Sequence, residues 1–342
     1  MGILDWFKNR PAQFDPERTS AEMRDGAIDK AVTLTNPRLR VIPSYHSQLA
    51  PAVETTIDYL RTMARSLPPA RPVSAASWAA DPALRAFFAA PAEMVATLAR
   101  ADNLRTLFGK FPELDQACFV LGMAFSEQKV FGVALQGDVV HRDVAQTSVS
   151  FSDHRAHLCN RDESRLRRTV GVEAFEHLLG RALAEIGEER VERQQLEANR
   201  ALVRSRLRLL QQQGPGLGAM FGSPPAAREE QARLEAELLE NDRQLEAIGD
   251  SQSALTMELE SLCEVLSHPE RYLQITRKRL RLNTLNVVVD ASNGELSSEV
   301  DFSMAELLGP PPVKRAFMLA SVTRNDIPAA PAIDFDRAAS LL

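Results

Sequence analysis

Residues 175–210 read FEHLLGRALAEIGEERVERQQLEANRALVRSRLRLL, and residues 234–266 read LEAELLENDRQLEAIGDSQSALTMELESLCEVL. In the first run Phe175, Leu179, Ala182, Ile186, Leu196, Val203, Leu207 and Leu210 fall on alternating steps of four and three, broken only by Glu189, Arg193 and Arg200. In the second, Leu234, Leu238, Leu245, Ile248, Leu255, Leu259, Leu262 and Leu266 keep the same steps, interrupted by Asn241 and Gln252. A repeat of about 3.5 residues held over several heptads keeps one seam facing a partner helix only if the helices supercoil. Between the runs lies Gly214-Pro-Gly-Leu-Gly-Ala-Met-Phe-Gly-Ser-Pro-Pro225, which a helix cannot cross. The expectation is an antiparallel coiled-coil hairpin over residues 166–275, with a tip loop at 211–226. Arms of roughly 35 residues would be about 50 Å long.

A turn near Phe221 sets the register. It brings Arg193 near Gln252 and Val203 near Asn241, so polar seam positions neighbour one another and fix alignment at a cost in stability. The outer part of the first arm carries Arg200, Arg204, Arg206 and Arg208; the second carries Glu229, Glu230, Glu235, Glu237, Glu240 and Asp242. Opposite charge favours closure within one chain, although each exposed pair is worth at most about 1 kcal/mol.

Working outward, Met1–Arg10 reads as a short amphipathic helix stopped by Pro11, within an N-terminal segment 1–25 that docks on protein more readily than on a bilayer. Residues 26–115 read as a helical module with proline breaks at Pro37, Pro43 and Pro51, a helix over Ala52–Ser66, a stiff linker at Leu67–Ser74, and a helix start at Asp81-Pro82. From Cys118 the period changes. Phe119–Phe125 and Lys129–Leu135 are apolar and β-branched, separated by Ser126-Glu-Gln, which predicts a hairpin; a third strand is expected over Ala145–Leu158. Strand character returns at Leu285–Asp290, Ser297–Met304 and Arg315–Val322, with Asn293-Gly294 as a turn pair. Residues 116–165 and 276–325 are therefore expected to form one β-rich head interrupted by the hairpin, with a loose tail at 326–342. The fold class is α+β, mainly helical.

The 342 residues carry a formal charge of −6, which argues against a chain built around nucleic acid. The three cysteines, Cys118, Cys159 and Cys263, have no paired spacing and read as reduced thiols of a cytoplasmic protein. No apolar run has transmembrane length. The densest set of metal-ligand types is Asp153, His154, His157 and Cys159, with His141 as a neighbour. Strict alternation would put Asp153, His157 and Cys159 on one face and His154 on the other. No second ligand pair stands at metal spacing, so these read as surface or core residues, with no metal or cofactor expected. There is no nucleophile elbow and no phosphate-binding loop, and the chain is read as no enzyme.

Two features remain. Arg165, Arg167 and Arg168 precede the first arm, and Arg277, Lys278 and Arg279 follow the second; brought together at the hairpin base, they are a candidate anion site. Leu217, Met220 and Phe221 stand among glycines at the tip, where three large apolar side chains on a flexible backbone suit partner binding. The reading is a non-enzymatic cytoplasmic adaptor or assembly protein that docks by its head and reaches a protein partner with the hairpin. The alternative is a module that binds nucleic acid or an anionic membrane through the basic base.

Overall fold

The computed structural model describes residues 16–136, 139–213, 225–248, 251–289, 296–309 and 311–328. The chain is mixed α and β, 59 % helical and 27 % strand, so helix outweighs strand about two to one around an antiparallel sheet. It divides into two compact units, one of Met1–Ile57 with His177–Pro269 and the other of Asp58–Glu176 with Glu270–Leu342. The helical stretch expected at 26–115 is thus shared between the units.

The second unit is built on the sheet. Strands β2 (Gln116–Gln136), β3 (Val139–Asn160), β4 (Leu273–Leu282), β5 (Ser298–Leu307) and β6 (Val313–Thr323) lie in the order β3-β2-β6-β5-β4, with the short β1 (Arg71–Pro72) parallel to β6. The order places strands from both sides of the long helices in one sheet. The two end strands of that path are joined by residues 286–289. Val288 donates to the Thr147 carbonyl of β3 at 2.8 Å, and Val289 to the Arg281 carbonyl of β4 at 2.9 Å. This covers backbone that open edges would expose.

Four short helices pack on the sheet: α3 (Ala75–Ala80), α4 (Pro82–Phe87), α5 (Pro91–Ala99) and α6 (Asp102–Lys110). The Asp81 carboxylate caps α4 by accepting from the Ala83 N–H at 2.8 Å, and Pro82 opens the helix as its sequence predicts. The core centres on Phe302, which is 0 % exposed. Phe151 meets it edge-on at 5.2 Å between ring centres, Phe87 edge-on at 6.1 Å, and Phe125 tilted at 5.4 Å. Such offset contacts suit the aromatic quadrupole.

Several sequence expectations are corrected. Ser126-Glu-Gln is no turn, because β2 runs unbroken through it. Those residues are exposed, and exposed polar side chains leave the backbone ladder intact. Leu273–Leu282 is a strand where the sequence suggests only a basic run, and Leu285–Asp290 contributes only bridges at Val287 and Val288 within the described residues. Alternation also fails in β3. Asp153 and Leu158 take positive φ (50° and 53°), and the register slips between Cys118 and Val120 and between Gly122 and Ala124. Each slip flips the facing of the residues beyond it. His154 and Cys159 therefore pack with the core side, while His157 is exposed.

The first unit holds α1 (Pro16–Thr35), the part of α2 (Tyr45–Ser66) up to Ile57, the part of α7 (Glu163–Gln213) from His177 onward, and the helices α8 (Pro225–Ile248) and α9 (Ser251–Ser267). The break expected at Pro51 is absent: α2 starts at Tyr45 and runs through it. Val203 and Leu207 of α7 are buried with Leu234 of α8, and Leu210 and Leu238 pack against them. Arg200 pairs with Asp242 at 2.6 Å, and Arg190 grips Glu258 through two bonds of 2.7 and 2.8 Å. Partners that rise along α7 fall along α8 and α9, so these helices run antiparallel. Asn241 of α8 is buried.

Candidate functional site

The six cations of the expected basic site all lie in the sheet unit, and the fold gives most of them local work. Arg167 uses every N–H of its guanidinium. Nη1 donates to the Ala64 and Leu67 carbonyls at 2.6 and 2.9 Å, Nη2 to Pro68 O and Glu163, and Nε to Glu163 at 2.9 Å. With five donors spent, it staples the 64–68 turn to the start of α7. Arg165 pairs with Asp162 at 3.2 Å, the same carboxylate that caps its backbone N–H. Arg168 donates to the Ser164 carbonyl, and no carboxylate pairs with it among the described residues.

On β4 the pleat separates the other three. Arg277 and Arg279 stand over β5 acids, forming a cross-strand ladder. Arg277 clasps Asp301 with Nε bonds of 2.9 Å to both oxygens, and Arg279 lies 3.7 Å from Glu299. The Arg277 guanidinium holds the Asp301 carboxyl below the usual carboxylate range, against the opposing effect of burial. Lys278 points to the other face, 4.4 Å over the Phe125 ring, and pairs with Glu127. Beside the α7 cluster, the Ala70 N–H donates to Glu163 at 3.0 Å.

A cleft of about 300 Å³ beside the α7 start is lined by Ala70, Gln116, Cys118, Arg161, Asp162, Glu163 and Ser321. Its two carboxylates outnumber its one guanidinium, and Arg161 lies over the Phe111 ring at 4.4 Å. That balance disfavours an anion. Burial pushes the Cys118 thiol up, the Cys263 thiol up to about 11 and the Cys159 thiol up to about 12. All three stay protonated near neutral pH and are poor nucleophiles there.

His154 is buried against Phe88 (4.3 Å between ring centres), with Nδ1 3.4 Å from a Glu93 oxygen and Nε2 without a partner. Burial lowers its pKa, with Glu93 pulling the other way. Among the described residues, no three His, Cys, Asp or Glu side chains converge as a metal site, and no helix is long and apolar enough to cross a membrane.

The tip residues Leu217, Met220 and Phe221 lie outside the described residues. Within the described residues, α7 and α8 are laced by Arg200–Asp242, by Arg204–Asp242 at 3.9 Å, and by Asn199 Nδ2 donating to Glu237 at 3.4 Å. Leu202, Leu209 and Leu239 are exposed on these helices. Sequence reasoning missed the Asn36–Glu258–Arg190 network of the first unit, whose members are 222 and 68 residues apart. It also missed Arg324, which donates to the carbonyls of Phe108, Phe111, Pro112 and Leu114. Comparison with protein-family models, with curated proteins and with solved structures returns no match.

Proposed function

We propose that the chain is a non-enzymatic adaptor or assembly protein whose β-rich head docks while a coiled-coil hairpin, formed by α7 with α8 and α9, reaches a protein partner. The observation that carries the reading is the antiparallel lacing of the helices by Val203, Leu207 and Leu234 and by the Arg200–Asp242 and Arg190–Glu258 pairs. Helices laced to each other in this way, with Asn36 joining at the Glu258 end, can act as an arm that places its far end. That end carries Leu217, Met220 and Phe221, apolar side chains suited to a protein surface. Cytoplasmic placement belongs to the same reading.

The alternative, binding of nucleic acid or an anionic membrane through the basic base, loses support from the pairing of its arginines with Glu163, Asp162, Asp301 and Glu299. Photo-cross-linking from a benzophenone at position 221, beside a matched probe at position 279, tests the choice. Protein adducts from 221 alone support the adaptor. Adducts to nucleic acid or lipid from 279, with none from 221, reverse it.

A further inference from the structure

The helix α7 carries a second heptad row that the hairpin seam leaves uncovered. Ala184, Glu188, Val191, Gln195, Ala198, Leu202, Ser205 and Leu209 follow the same steps of four and three as the seam. They run two residues out of phase with it, about 200° around the helix. Val191, Leu202 and Leu209 on this row are 52, 50 and 57 % exposed. At its N-terminal end Ala184, Gly187, Glu188, Val191, Glu192 and Gln195 line a shallow groove of about 490 Å³.

We infer that this back face of α7 is an interface with a second copy of the chain, packed antiparallel about a two-fold axis level with Arg200. An isologous contact must be self-complementary, and this one is. With the axis at Arg200, Val191 meets Leu209 of the second copy, Ala198 meets Leu202, and Gln195 meets Ser205. The exposed leucines of each copy thus enter the other at its valine and alanine positions, and Leu209 reaches the groove.

Charge agrees with that register. Glu192 flanks the groove end, and Arg206 and Arg208 flank the leucine end; none of the three has an ion-pair partner among the described residues. Reversing one helix on the other sets Glu192 against Arg206 of the second copy, twice per dimer. Asn199 and Ala201 flank the axis, so no like charges face each other there. Arg200 points to the seam side, where Asp242 holds it.

Sedimentation equilibrium of the full chain over a range of concentrations tests this. The wild type should self-associate to a dimer and no further. Replacing both Leu202 and Leu209 by Glu should leave a monomer of unchanged helicity. Arg206→Glu should raise the dimer dissociation constant about tenfold, a change of 1.4 kcal/mol, and adding Glu192→Arg should restore it. A monomeric wild type, or a dimer indifferent to the leucine pair, overturns the inference. So does a charge reversal that fails to rescue, which also covers the case of a leucine variant that does not fold.

Discussion

Glu258→Ala removes the carboxylate at the centre of a buried polar network of the first unit. The Glu258 side chain is 9 % exposed and takes two bonds from Arg190 and one from the Asn36 amide. Asn36 is itself buried and cannot swing to water, because its oxygen already accepts from the Arg38 N–H at 3.0 Å. Stranding its amide donor costs about 1–3 kcal/mol. Arg190 is 45 % exposed and is resolvated, so its share is at most about 1 kcal/mol. The expected loss is about 1–4 kcal/mol, read from urea unfolding followed by helical circular dichroism. Glu258→Gln keeps an acceptor for Asn36 and should lose about half as much. The pH dependence has a definite sign. Burial alone would raise the carboxyl pKa, but the Arg190 and Asn36 bonds overcome it and hold the pKa below its ordinary 4.5. The network therefore contributes fully above 4.5 and is lost as pH falls through the lower folded value, a fall that Glu258→Gln should lack. A loss below about 0.5 kcal/mol for Glu258→Ala, within the range of ordinary surface changes, would refute the reasoning.

Phe302→Ala empties the centre of an aromatic cluster and should cost about 3–5 kcal/mol in chemical unfolding; a cost under about 1 kcal/mol would mean the cluster is not packed as described. Arg167→Ala should destabilise by about 2–4 kcal/mol, since it strands three backbone carbonyls, while Arg168→Ala stays within about 0.5 kcal/mol; equal losses in thermal melts would contradict the contrast. Burial holds His154 below its ordinary 6.5, so the unfolded chain takes up the proton first and stability drains away as pH drops below that value. His154→Gln should flatten the stability profile between about pH 7 and 5, and an unchanged slope there would place the titration elsewhere.

Local pattern carried the legible part of this protein. The helical character of these stretches was readable because apolar residues spaced three and four apart share one helix face, and Val203, Leu207 and Leu234 are buried together. The Asp81-Pro82 start was readable because a cap acts within about three residues. What escaped depends on distance or on facing. The basic run Arg277-Lys-Arg looks like one patch until β5 supplies Asp301 and Glu299 in register on one face and β2 supplies Glu127 on the other. Bulges at Asp153 and Leu158 overturned a facing assignment that assumed strict alternation, and nothing in Ser152-Asp-His or His157-Leu-Cys announces them. Strand β2 passes Ser126-Glu-Gln because the polar residues there stay in solvent, so polarity alone marked a turn that does not form.

The proposed adaptor role rests on a partner bound through Leu217, Met220 and Phe221. The direct measurement compares the wild type with a variant in which Leu217, Met220 and Phe221 are all serine, in affinity capture and in thermal melting side by side. The wild type should capture a specific protein that the variant, at unchanged melting temperature, fails to capture. A lowered melting temperature with the same partner still captured contradicts it, and leaves those three side chains as a cap on the ends of the helices.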